Sequence, residues 1–170
     1  MTVARREAAP ALLQIDALVG RLPGVQALQE VCRFLRESFR HYRWVGVYRR
    51  AGGVLVLEAW DGPAATEHTV IPIERGICGQ AVREARTVLV DDVRTSPEYL
   101  ACFLETRAEI VVPIRRDGEV IGEIDIDGNE VGAYDASDRE FLETVASRLG
   151  DAVSAASAER PMSGGSGTSR

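Results

Sequence analysis

EIVVPIRRDGEVIGEIDID, residues 109–127, sets two β-branched runs on either side of Asp117-Gly118, and its register decides what the rest of the chain must build around. Asp-Gly between alternating apolar runs signals a hairpin, because both residues tolerate the positive φ of a tight turn. Along Val120 to Asp127 apolar and polar residues alternate, so Ile124 and Ile126 share one face while Glu123, Asp125 and Asp127 share the other. An uninterrupted two-residue turn sets Ile110 opposite Asp125 and mixes apolar with acidic side chains on one face. A three-residue loop, Arg116-Asp117-Gly118 with the glycine in a left-handed bulge, pairs Ile114 with Val120, Val112 with Gly122 and Ile110 with Ile124. That register keeps the apolar face continuous and is the one expected. It puts Glu109 beside Asp125 and gathers carboxylates on two neighbouring strands. Like charges facing each other destabilise a sheet by up to about 1 kcal/mol. A solvated outer face is one account of these acids. The other is a pocket for a cationic group, or a carboxyl whose raised pKa lets it donate a proton.

Working outward, apolar residues recur at helical spacing over Leu12–Leu22 and over Val25–Phe39, and Pro23-Gly24 splits the two helices. Trp44–Arg49 and Val54–Trp60 form a second hairpin across Ala51-Gly52-Gly53, and His68–Ile73 gives a third strand. Gly76-Ile77-Cys78-Gly79 starts a short helix, and Thr87–Val90 is a strand. Asp91–Arg107 reads as a long loop with one helical turn, a length usually reserved for function or disorder. Asp135–Ala156 is a single closing helix with Phe141, Leu142, Val145, Leu149 and Val153 on one face. The order predicts an α+β fold: one domain, a mainly antiparallel sheet flanked by helices, with its pocket under the long loop. Residues 11–156 form that domain, residues 1–10 a flexible lead, and residues 157–170, rich in Ser and Gly, a disordered tail.

The 170 residues, 45% hydrophobic, suffice for one core. No apolar run spans a membrane and Met1–Pro10 lacks an apolar signal core, so a cytoplasmic protein is expected, with no membrane partner. A formal charge of -6 argues against nucleic acid as partner. The sequence contains no Lys, which removes Schiff-base chemistry and the lysine of a phosphate loop.

In a reducing compartment Cys32, Cys78 and Cys102 read as packed or reactive thiols rather than disulfides. Cys32 lies on the apolar stripe of the second helix and is assigned to packing. Cys78 sits at a helix start, where unpaired amides and the dipole favour a thiolate, although its flanking glycines also fit close helix packing. Cys102, inside the long loop, is either an anchor for that loop or a nucleophile. The two are too far apart in sequence for a local zinc pattern, and no metal is expected.

Gly76-Ile77-Cys78-Gly79, Asp91-Asp92-Val93, Leu100-Ala101-Cys102, Glu109-Ile110-Val111-Val112-Pro113, and Gly122 through Asp125-Ile126-Asp127 occur in the order and at the spacing of the free methionine-(R)-sulfoxide reductases, which are single GAF domains. Trp44-Val45-Gly46-Val47-Tyr48 resembles that family's Trp-x-Gly-Phe-Tyr strand, and the resemblance runs from Trp44 to about Leu149. It implies thiol-dependent reduction of free methionine sulfoxide with Cys102 as nucleophile and Cys78 as its resolving partner. Glu109 becomes a proton donor, Asp125 and Asp127 hold the substrate, and Trp44 and Tyr48 wall its methyl group. A thioredoxin-like reductant, a homodimer and the absence of any cofactor are implied as well. This chain carries Phe103 where the family usually has Asp, and His68 where it often has a further cysteine. Those two positions fit the alternative, a non-catalytic GAF sensor that binds a small molecule and acts on a separate partner.

Overall fold

A computed structural model describes residues 5–160. Six antiparallel strands, β1 (Trp44–Ala51), β2 (Val54–Asp61), β3 (Val70–Pro72), β4 (Val88–Val90), β5 (Ala108–Arg116) and β6 (Glu119–Gly128), form one sheet in the order β3-β2-β1-β6-β5-β4. Helices α1 (Arg5–Arg21), α2 (Gly24–Ser38), α4 (Ala136–Arg148) and α5 (Gly150–Glu159) cover one face, and α3 (Gly76–Glu84) with the 91–107 loop covers the other. The loop's expected helical turn is a 3-10 turn at Val93–Thr95.

The central hairpin departs from its expected register in an instructive way. Asp117 and Gly118 both have positive φ, 51° and 82°, and Arg116 pairs directly with Glu119, so the turn is the tight two-residue kind. The correction comes two residues later: Arg115 pairs with Val120 but Ile114 with Gly122, leaving Ile121 as a bulge. From there Val112 faces Ile124, Ile110 faces Ile126, and Glu109 faces Asp127 rather than Asp125. Core continuity is met, because the bulge restores the parity that a two-residue turn alone would break. Ile110, Val112, Ile114, Ile124 and Ile126 join the helix-covered core, and the acids face the other way.

The closing helix is two helices. Leu149 breaks the ladder, and Gly150 lies so close to the Arg115 carbonyl that a side chain there would meet its oxygen at 2.8 Å. Periodicity cannot register such a break, since both halves keep the same apolar face against the sheet. Helix α4 opens on a reciprocal capping box, in which the Asp135 side chain accepts from the Ser137 and Asp138 amides and Asp138 accepts from Asp135 N–H. The other Asp138 oxygen takes the Tyr42 hydroxyl at 2.8 Å and lies 2.6 Å from His41 Nε2, which ties the α2–β1 connection to α4.

Helix α1 begins inside the segment expected to be a flexible lead, because Ala11, Ile15 and Leu18 are buried on its inner side and extend the pattern backward. Helix α5 likewise runs past Ala156 to Glu159, whose carboxylate accepts the Val25 amide. Expectations for residues 1–4 and 161–170 fall outside the described residues. Among the described residues, no helix is long and apolar enough to cross a membrane.

Candidate active site

The face of the sheet away from the four helices is where the chemistry gathers. Antiparallel pairing sets Trp44 against Asp127, Gly46 against Asp125 and Tyr48 against Glu123, so β1 contributes aromatics and a glycine to the face on which β6 contributes its acids. Strand β5 adds Glu109 opposite Asp127. All four carboxylates are buried, Glu123 completely. Both oxygens of Glu123 and of Asp127, and one of Asp125, lack a hydrogen-bond partner among the described residues. A buried ion without a partner costs several kcal/mol, so the groups respond by holding protons. Burial lifts the Glu123 pKa to about 8. Burial and the neighbouring Glu123 lift Asp125 to about 8. Burial and the neighbouring Asp125 drive Glu109 and Asp127 well above the usual carboxylate range. The bland account of a solvated acidic face is therefore wrong: these acids lie under α3 and the long loop.

Cys102 sits half-buried in that loop and lines a cavity of about 490 Å³ together with Trp44, Phe103, Thr106 and Asp127. The Trp44 ring lies over Gly46 and Gly62, where any side chain would collide with the indole. It stacks nearly parallel on Trp60 at 6.2 Å and meets Phe103 at 5.8 Å. Phe103 thus makes the cavity's outer wall aromatic. Glu109, Asp125 and Glu123 do not line this cavity and lie deeper in the sheet. Tyr48 is buried beside Asp125, Cys78 and Cys102, and its hydroxyl donates to the His68 carbonyl at 2.8 Å.

The Cys78 setting corrects the expectation of a helix-start thiolate. Its thiol is buried in the first turn of α3, and burial followed by Asp125, Glu123 and Glu109 pushes its pKa well up. Three carboxylates at close range outweigh the partial charge of one short helix end. The Cys102 thiol is pushed up too, by burial and then by Asp125, Asp127 and Glu109, with Thr66 pulling the other way. Cys32 is buried in the helix-covered core, as its stripe implied.

Cys78 Sγ and one carboxylate oxygen each from Glu109 and Asp125 lie within 4.8 Å of one another, a mixed donor set assembled from three elements. Local spacing could not have found it, because the three residues meet only where α3 packs over the neighbouring strands β5 and β6. Sequence reasoning also missed Glu123 as a site residue, and Thr66, 7% exposed in the β2–β3 loop. Alternation had put Glu123 on the right face. Nothing local pointed to Thr66.

A sequence model of the GAF domain family matches residues 25–154. A Dictyostelium discoideum protein called GAF domain-containing protein A is 35% identical over 77% of this chain and 82% of its own length. Among solved structures, a free methionine-R-sulfoxide reductase from Neisseria meningitidis in complex with its substrate superposes with a TM-score of 0.81 at 34% identity, covering 94% of this chain and 98% of that one. A type II free methionine-R-sulfoxide reductase from Thermoplasma acidophilum is 37% identical with a TM-score of 0.75, covering 82% and 94%.

Proposed function

The chain belongs to the GAF domain family, within its free methionine-(R)-sulfoxide reductases, and we propose that it reduces free L-methionine (R)-sulfoxide to methionine with Cys102 as the nucleophile. The observation that carries the residue assignment is the cavity in which a half-buried thiol and an unpaired buried carboxylate, Cys102 and Asp127, share a wall.

In the free protein Cys102 is a thiol, because burial and then Asp125, Asp127 and Glu109 oppose its ionisation. As substrate binds, Asp127 on the cavity wall and Asp125 behind it exchange their protons for its ammonium in charge-assisted hydrogen bonds. The ammonium offsets the carboxylate charge beside Cys102, so the thiolate forms as the site fills. Trp44 and Tyr48 confine the S-methyl group. The Cys102 thiolate attacks the sulfoxide sulfur while Glu109, kept protonated by its surroundings, protonates the oxygen. The S–O bond of the sulfoxide breaks, the oxygen ends on Cys102 as a sulfenic acid, and methionine leaves two electrons richer. Glu109 regains the proton that the thiol gave up. Cys78 then condenses with the sulfenic acid, forming an S–S bond and releasing water, and an external dithiol returns the two electrons by exchange. We assign that reductant to the thioredoxin-like class, the protein to the cytoplasm and its assembly to a homodimer. The cytoplasm suits three free cysteines, and the dimer rests on the family resemblance.

The sensor alternative needs a pocket that welcomes its ligand without consuming a thiol. Buried acids repel the phosphate of a cyclic nucleotide and attract an ammonium. Purified protein with a dithiol reductant converts free methionine (R)-sulfoxide to methionine, and Cys102→Ser abolishes the conversion. Turnover surviving that substitution rules out the proposed nucleophile.

A further inference from the structure

The mixed donor set behind the Cys102 cavity has the composition of a metal site. Cys78 Sγ comes from the first turn of α3, one Glu109 oxygen from β5 and one Asp125 oxygen from β6, and the three lie within 4.8 Å of one another. A thiolate among carboxylate oxygens suits zinc and its borderline-soft relatives, whereas magnesium and calcium ask for oxygen alone. Zinc bonds of about 2.0 Å to oxygen and 2.3 Å to sulfur set tetrahedral ligands roughly 3.3–3.8 Å apart, so each pair has to close by about 1.5 Å or less. Three protein ligands leave the fourth position to water.

Unpartnered oxygens on the same face are a second observation, independent of that spacing. Asp125 is 1% exposed and its Oδ1 has no hydrogen-bond partner among the described residues. Both oxygens of Glu123 and of Asp127, its neighbours on that face of β6, are orphaned as well. Buried polar atoms are normally paired, so a set of orphaned acceptors points to a cationic guest. An ammonium accounts for the acids but not for the sulfur placed among them. Asp127 lines the Cys102 cavity and pairs across the hairpin with Glu109, which gives an ion its way in.

We infer that Cys78, Glu109 and Asp125 bind a zinc-class divalent cation in the reduced protein, and that this ion shuts the reductase off. The binding goes beyond the reductase reading above, and the inhibition rests on it. The ion takes the place of the protons on its three ligands. It thereby occupies the proton donor, one of the acids that hold the substrate's ammonium, and the resolving thiol. Cys102 lies outside the donor set and stays a free thiol.

Cobalt(II) titrated into the reduced protein reports the site without any sulfoxide substrate. One equivalent is expected to bind with a sulfur-to-cobalt charge-transfer band, and zinc to displace it. Cys78→Ser should abolish the band and weaken zinc binding more than about 100-fold, beyond the cost of losing an outer-shell partner. Cys102→Ser should keep both the band and the affinity. X-ray absorption of zinc-loaded wild type, which needs no variant to fold, should show one sulfur at about 2.3 Å and the remaining ligands as oxygen at about 2.0 Å. A band that survives Cys78→Ser or vanishes in Cys102→Ser, a zinc without a sulfur neighbour, or no saturable binding at millimolar cobalt overturns the site. Inhibition is read in a single turnover of pre-reduced protein, since an added dithiol would itself chelate zinc. Zinc should stop methionine formation at the concentration that fills the site, and EDTA should restore it. Full conversion with the site filled overturns the inhibition. Metal-free wild type that leaves methionine sulfoxide untouched overturns the reductase reading instead, while the absorption data still decide the site.

Discussion

Replacing Glu123 with Gln should make the protein more stable in base and change little in acid. Glu123 is completely buried, neither of its oxygens has a partner among the described residues, and burial lifts its pKa from 4.5 to about 8. Between those pH values the side chain keeps its proton in the native state and loses it in the unfolded chain. The native state then binds more protons, so the stability Glu123 permits is full below about pH 4.5, falls as pH rises, and levels off above about pH 8. An interval of about 3.5 pH units at about 1.4 kcal/mol each sets an upper bound of roughly 5 kcal/mol. Relaxation around the ionised group brings the expected loss to about 3–5 kcal/mol. The Gln side chain has the same shape and no ionisation. Removing the charge also eases Asp125, which Glu123 pushes up, so the coupling works in the same direction. Urea melts of both proteins at pH 5 and pH 8.5 isolate the effect, since any packing cost of Gln is common to both. The variant should gain about 3–4 kcal/mol on wild type between the two conditions. Parallel pH profiles would mean that Glu123 ionises freely in the native state, and the account of proton-holding buried acids would be wrong.

Asp127→Asn removes one charge from the ammonium site and is expected to raise KM for free methionine sulfoxide about 10- to 100-fold, measured by steady-state kinetics, the scale of one charge-assisted bond. N-acetylated methionine sulfoxide, which has no ammonium, should be a poor substrate for wild type and respond far less to that substitution. Tyr48→Phe strips the donor from the half-buried His68 carbonyl and should cost about 1–2 kcal/mol in a denaturant melt. Asp138→Ala removes the reciprocal half of the α4 capping box and the partner of Tyr42 together, costing about 2–4 kcal/mol while kcat on the folded protein stays unchanged, since Asp138 packs on the opposite side of the sheet from Cys102.

The face on which each strand residue lies was legible in the sequence, because alternation has a period of two and any register that buries Ile110, Val112, Ile124 and Ile126 must turn Glu109, Asp125 and Asp127 the other way. The partner across the hairpin was not legible. A three-residue loop and a two-residue turn with one bulge give the same parity, and only the second brings Glu109 opposite Asp127. The break at Leu149 was equally silent, since its cause is the approach of Gly150 to the backbone of a distant strand. The site followed the same division. Cys102, Trp44 and Asp127 were identified by a family resemblance, and they do line one cavity. His68 reaches the Ala101 carbonyl across more than thirty residues of chain, from a loop whose sequence gives no periodicity to read. The helix-start argument for Cys78 failed because it weighed one local dipole and could not see three carboxylates arriving from two strands.

The central claim is that the oxygen of the sulfoxide passes to the sulfur of Cys102. Its most direct test is a single turnover with reduced Cys78→Ser protein, one equivalent of free methionine (R)-sulfoxide and dimedone, with each cysteine peptide read by mass spectrometry. One equivalent of methionine and a dimedone adduct on Cys102 alone are expected. Methionine formed without that adduct, or an adduct on Cys32 in its place, would contradict it.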